Sequence, residues 1–414
     1  MRRNPLLLIA LLAVPLAGLL ALTAAGPAPA AVTAPSYAAG NPNPVVTALY
    51  DANNNMSYVF WRCPDTFSLC GARTISARNH TYVKFAIPGM GMLESVPSAS
   101  VDVDRTGRGG APYIYVFWEA GYPKYDLTEA YYDGSWHGPI SLGMGKMLSG
   151  PAAPQAWFTS GDSVGPSERN QVEGVAWMGA QYRLMYATSD NPANRKSWKG
   201  PYYDGVTVAS TPTVADGGGG AEVAFWDGTG NHLYAASFPF DWPELNGGRT
   251  AKFGPCEFDS MGVLGSNPSA AWFQGIQIGD GKRGGPGGSP ASGGTTARVV
   301  SGNCPVSGGI VSFGDQGSWQ VCWSGDKPPG KNIYCMQWLQ PPTAEQTIFG
   351  PTRLGNYGVL GSAPSVTEWP IDNLNSDATS AFWQGSNGAQ DLYRAVIIPP
   401  SRAVNLGFGP LSGG

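Results

Sequence analysis

The strongest constraint on this chain is that it repeats itself. FGPCEFDSMGVLGSNPS (residues 253–269) returns without a gap as FGPTRLGNYGVLGSAPS (349–365), 96 residues later. Weaker copies are WHGPISLGMGKMLSGPAA (136–153), WKGPYYDGVTVASTPTV (198–214) and IPGMGMLESVPSAS (87–100), and FGPLSGG (408–414) is a truncated copy at the end. A second element follows each copy, a short apolar run ending in Trp61, Trp118, Trp177, Trp226, Trp323 or Trp383. A third follows that one: DLTEAYY (126–132), RLMYATS (183–189), HLYAAS (232–237), NIYCMQW (332–338) and DLYRAVI (391–397), with a degenerate FSLCGAR (67–73) in the first unit. Self-similarity at a fixed period identifies a repeat architecture before any local propensity is considered.

One unit therefore reads as four short strands. The Trp anchors count six units, most spaced by about 50 to 60 residues. The long interval, from Trp226 to Trp323, holds a Gly-rich segment at about 274–309, read as a loop inserted between the first two strands of unit five. A degenerate seventh unit is the alternative. Four strands per repeat at this period is the pattern of a β-propeller. IYVFW (114–118) is apolar on both faces, as a strand buried between two neighbouring sheets must be. The tetrapeptides WMGA, WDGT, WSGD and WQGS read as hairpin starts in which glycine supplies a positive φ. The expected fold is all-β, a single β-propeller over 43–414, with six four-stranded blades. If the ring closes, FGPLSGG at the C-terminus meets NPVV (43–46) at the start.

The N-terminus has the layout of a secretory signal peptide over 1–30: Arg2 and Arg3, an apolar stretch, then the small-residue site Ala28-Pro29-Ala30. Residues 31–42 read as a linker. The expectation is a secreted protein with no membrane segment after cleavage. Low charge (13%) with 14 Trp and 18 Tyr argues for a packed chain despite 58 Gly and 36 Pro. A net charge of −4 leaves no electrostatic footprint for nucleic acid. Six cysteines in an exported chain point to disulfides. Cys63 and Cys70 are close enough to close a small loop, and Cys322 and Cys335 flank a Pro-Pro-Gly turn. Cys256 with Cys304 is then the remainder, although spacing alone leaves other connectivities open.

The succession VFW, LYxA, YDGSWHGP and LGxGxLGSxPS resembles the repeat of secreted bacterial propeller lectins, with tectonin-type and fungal fucose-binding propeller lectins as wider relatives. The resemblance runs from about Asn43 to Gly414. It implies carbohydrate binding at pockets on or between blades, repeated around the ring. Units one, three and five depart most from the pattern, so the resemblance carries the scaffold further than the pockets.

The three histidines, His80, His137 and His232, have no metal-ligand spacing. The cysteines are not paired as C-x-x-C, so no metal site and no cofactor are expected. Glu119, Glu129, Asp133, Glu173 and Asp227 are available carboxylates, but nothing in the spacing pairs them for glycosidase work. SFGDQGSW (312–319) departs from a sialidase Asp-box, and DVDRTG (102–107) lacks the downstream acid of a calcium loop.

Sugars need aromatic rings for their C–H faces and planar polar groups for their hydroxyls. The residue after the strand-ending Trp is polar in five units (Arg62, Glu119, Asp227, Ser324, Gln384) and Met178 in the other. Arg62, and the pairs Trp118–Glu119, Trp226–Asp227 and Trp383–Gln384, are therefore candidate glycan contacts. Inter-blade packing is the competing role for each Trp, and a solvated hairpin corner for each polar residue. Tyr132, Asp133, Trp136 and His137 bracket one Gly turn and form the most concentrated candidate. The expected function is a non-catalytic lectin acting on extracellular glycans. A propeller glycoside hydrolase and a secreted protein-interaction propeller are the alternatives.

Overall fold

The computed structural model describes residues 45–411 except 52–53, 77–78, 103–110, 122, 155, 158–172, 190, 217–221, 238–254, 259–262, 275–316, 326–329, 340–347, 372–375, 387–389, 399–403 and 409–410. All described residues fall in the compact unit 37–414. The signal segment, the linker, most of the Gly-rich insertion and Cys304 lie outside them. Among the described residues, no helix is long and apolar enough to cross a membrane.

The strands form six antiparallel sheets, one per repeat unit. Blade one runs Val46–Asp51, Met56–Arg62, Leu69–Ser76 and Asn79–Ala86 in spatial order. Blade two runs Ser98–Asp102, Tyr113–Glu119, Asp126–Tyr132 and Trp136–Lys146. Blades four, five and six repeat the plan, with second strands Glu222–Asp227, Gly317–Ser324 and Ser376–Gln384. In blade five Ser269–Gln274 pairs directly with Gly317–Ser324, so the Gly-rich segment joins two neighbouring strands. Blade three departs from the plan. Its strands Glu173–Met178, Arg183–Ser189 and Lys199–Thr207 form a three-stranded sheet. Its innermost segment makes one bridge to them, Ala152 to Ala176, then crosses over: Ala156–Trp157 pairs in parallel with Val101 and Asp102 of blade two.

The apolar runs are explained by burial on both sides. Ile114, Val116 and Trp118 pack against Leu49, Tyr58 and Phe60 of blade one, whereas Tyr115 and Phe117 pack against Val175 and Trp177 of blade three. Strand alternation sends successive residues to opposite neighbours, so the whole run must be apolar. Each anchor Trp faces the preceding blade, and each is at most 2% exposed. Six inter-blade clusters result. The last joins Phe382, Leu392 and Leu411 to Val46, Val59 and Trp61 and closes the ring between the two ends of the chain.

The repeated LGS-x-PS phrase is the clamp between blades. Its apolar residue donates its N–H backwards to the carbonyl of a residue just before the third strand: Leu93 to Phe67, Met147 to Tyr125, Val208 to Tyr182, Leu264 to Asn231 and Leu411 to Gln390. All five acceptors have positive φ. Its first serine works forwards. Ser95, Ser149, Ser210, Ser266 and Ser362 accept from the N–H of the residue after Trp at 2.9–3.1 Å. The second hydroxyl of the phrase links adjacent innermost strands: Ser98 accepts from Ala153, Thr213 from Ala270, Ser269 from Val366, and Ser365 from Ala48 across the closure.

One expectation needs correction. The glycine after Trp-x does not supply positive φ; Gly179 and Gly228 have φ of −96° and −107°. It is glycine because a third-strand side chain lies on it. A Cβ would come within 2.2 Å of the Tyr234 ring at Gly228, and as close to the Tyr334 ring at Gly325. The left-handed turn residue is the non-glycine one before the third strand. Thr47 pairs with Phe60 as Ser98 pairs with Phe117, so Thr47 holds the position of the phrase's second hydroxyl in blade one.

Two disulfides are seen, Cys63–Cys70 and Cys322–Cys335. The second bridges directly paired residues of neighbouring strands. Cys256 is also disulfide-bonded.

Candidate functional site

The third strand of blade two, Asp126–Tyr132, organises a polar inter-blade face. Alternation places Leu127, Glu129 and Tyr131 towards blade three and Ala130 and Tyr132 towards blade one. The YYDGSWHG candidate is therefore divided. Tyr132 and Trp136 meet at 5.3 Å, and Trp136 stacks on Phe85 and edges Phe60 of blade one. On the opposite face, the Tyr131 ring stacks on His137 at 4.6 Å. His137 Nε2 lies 2.9 Å from Asp133 Oδ1 and 3.1 Å from Ser135 Oγ. Both contacts use one ring nitrogen, so the group is not a relay in which a histidine bridges a base and a nucleophile. Desolvation, the largest single influence, raises the Asp133 carboxyl, but the hydrogen bonds from His137 and Ser135 and the His137 charge together outweigh it and hold the group below its ordinary range.

Behind this rim lies Glu129, fully buried. Its Oε2 accepts from the indole Nε1 of Trp198 in blade three at 3.0 Å, and Oε1 has no hydrogen-bond partner. Burial pushes the carboxyl up to about 8, with the Trp198 bond opposing. Phe117 meets Trp198 edge-on at 5.6 Å. A strip results: a deep carboxyl, an indole, the half-buried Tyr131–His137 stack and the Asp133 carboxylate at the rim. Aromatic faces beside planar acceptors are what pyranose recognition requires.

Glu129 and Trp198 stood in the sequence only as a spare carboxylate and as part of a repeat phrase. A period-two count from Tyr131 and Asp133 back to Glu129 was the signal that joins them. The residues after each Trp do not form a shared surface. Trp118, Trp226 and Trp383 are core residues with no ring face to offer. Arg62 donates through Nη1 to the Glu94 carbonyl at 3.1 Å and lies over Phe67. Asp227 is buried, and Gln384 donates to the Leu411 carbonyl at 2.5 Å, tying down the chain end. Glu119 lines a cavity among the innermost strands. The Glu173 side chain lies outside the described residues.

Among the described residues, no group of three His, Cys, Asp or Glu is placed to hold a metal ion.

No family model matches the chain, and no curated protein sequence matches it. Solved structures do. The fucose-specific lectin from Aleuria aurantia aligns with a TM-score of 0.52 at 11% identity, over 89% of this chain and 99% of that one. The SapL1 lectin in complex with alpha methyl fucoside gives 0.52 at 11% identity, over 88% and 95%. AofleA from Arthrobotrys oligospora gives 0.55 at 9% identity, over 90% and 88%. At such identity the likeness is one of fold: the six-bladed propeller is shared.

Proposed function

We propose that this protein is a secreted, non-catalytic glycan-binding propeller whose sugar site lies between blades two and three. The observation that carries the reading is the strip Glu129–Tyr131–Asp133 facing Trp198 across the blade interface. Tyr131 and His137 offer a stacking face to the C–H side of a pyranose. Asp133 accepts from vicinal hydroxyls at the rim, and the unpartnered Oε1 of Glu129 marks where a deeper hydroxyl would be held. The likeness to lectins that bind fucose or a fucoside supports the ligand class and makes fucosides the first probes. The disulfides and the N-terminal segment support an extracellular setting.

A glycan array with the purified protein tests the reading. Binding to a defined glycan subset is expected, with about tenfold or greater loss in Asp133→Asn and Tyr131→Ala. No binding above background, or undiminished binding by both variants, overturns it.

A further inference from the structure

The innermost segments of all six blades enclose a second space. Thr47, Ser98, Ala152, Thr213, Ser269 and Ser365 line a cavity of about 230 Å³. These residues hold the same strand position around the ring, so the cavity lies where the blades converge. None of Glu129, Tyr131, Asp133 or Trp198 borders it, and its chemistry differs from theirs. Its walls carry two carboxylates, Glu94 and Glu119, with no aromatic ring and no Lys, Arg or His among the described residues. A sugar has no ring to stack on there, and an anion would meet two like charges.

Glu119 is 8% exposed, and among the described residues no hydrogen bond reaches its carboxylate. The hydroxyl that meets the Glu119 main chain is already committed: Ser95 accepts from the Glu119 N–H and donates to the Val96 carbonyl. Arg62, which reaches this end of blade one, donates through Nη1 to the main-chain carbonyl of Glu94. The side chain lines the cavity, so water or a ligand there supplies the donor that the protein does not.

We propose that this central cavity binds a small organic ammonium ligand, whose N–H groups pair with the carboxylates of Glu119 and Glu94. The volume equals that of about seven or eight liquid waters, which fits a compact amine rather than a peptide segment. The wall hydroxyls accept main-chain N–H groups from the next blade, leaving their own protons for a hydroxyl on the ligand. Burial first, then the Glu94 carboxylate, push the Glu119 carboxyl up to about 7, with Lys146 opposing. A bound cation reverses that balance, so binding strengthens as pH rises through this value. The site stands whether or not a glycan binds between blades two and three.

Calorimetric titration of the purified protein with ethanolamine and with ethylene glycol tests it, since the two differ by one ammonium. At pH 8, saturable binding of ethanolamine and none of ethylene glycol are expected. Glu119→Gln lowers the amine affinity about tenfold or more. Moving from about pH 8 to about pH 5.5 weakens binding as well, because an aliphatic amine keeps its charge over that range while the carboxyl loses its own. Glu94→Gln and the pH series carry the test if Glu119→Gln does not fold. Equal binding of ethylene glycol, no saturable binding of ethanolamine, or a pH-independent affinity overturns the proposal.

Discussion

The Oγ of Ser362 accepts the N–H of Gln384 at 3.0 Å, and the carbonyl of Gln384 accepts the N–H of Gly361 at 2.7 Å. The junction phrase thus grips the residue after the anchor Trp from both sides. Ser95 with Glu119 and Ser266 with Ser324 make the same two-bond clip. Removing the hydroxyl leaves a buried N–H without its acceptor, which costs about 1–3 kcal/mol. Ser362→Ala is expected to lower stability by that amount in urea unfolding. Ser266→Ala acts on a different blade, so its effect should add to the first. An unchanged midpoint in the double variant would show that the clip is dispensable.

Trp118 is expected to behave as a core residue. It is 1% exposed and packs among Leu49, Phe60 and Leu93 from the blade-one side. Trp118→Ala should destabilise by about 3–5 kcal/mol, while the folded fraction keeps its glycan profile. A loss of binding at unchanged thermal stability would instead make it a contact residue.

The repeat told most of the fold because each phrase answers one physical need. Doubly buried strands must be apolar on both faces, and a junction must satisfy main-chain groups on two blades. Both needs leave the same kinds of residue at the same offsets in most units. Blade three was less legible: Ala152 occupies the hydroxyl position, and its innermost segment crosses to blade two. The candidate site was only partly legible. YYDGSWHG was singled out as a cluster, but neighbours in sequence point to opposite faces of a strand, so Tyr132 and Trp136 went to one interface and Asp133 and His137 to another. Trp198 is 69 residues from Glu129, and only the blade interface brings them together.

Cys322 and Cys335 face each other across paired strands of blade five, closing a loop with a sequence separation of 13. Loop-closure entropy assigns such a cross-link about 3 kcal/mol. The double variant Cys322→Ser, Cys335→Ser should lose roughly that stability, and mild reductant should shift the parent towards it. Identical melting of parent and variant under oxidising conditions would place the bridge outside the stabilising set.

Glu129 makes the fold sensitive to alkali in a way that one substitution can isolate. Burial lifts its carboxyl from 4.5 to about 8, with Trp198 opposing. Below about pH 4.5 folded and unfolded chains both hold the proton, and Glu129 carries no penalty. Between about 4.5 and about 8 the unfolded chain releases its proton while the folded chain retains it, so stability falls as pH rises. Above about 8 the loss is complete, on the order of several kcal/mol. Glu129→Gln keeps an acceptor for the Trp198 indole and removes the titration. Its stability should match that of the parent near pH 4 and exceed it progressively towards pH 8, measured by urea unfolding across that range. Parallel pH profiles for parent and variant would mean that the carboxyl ionises in the folded chain as freely as in the unfolded one.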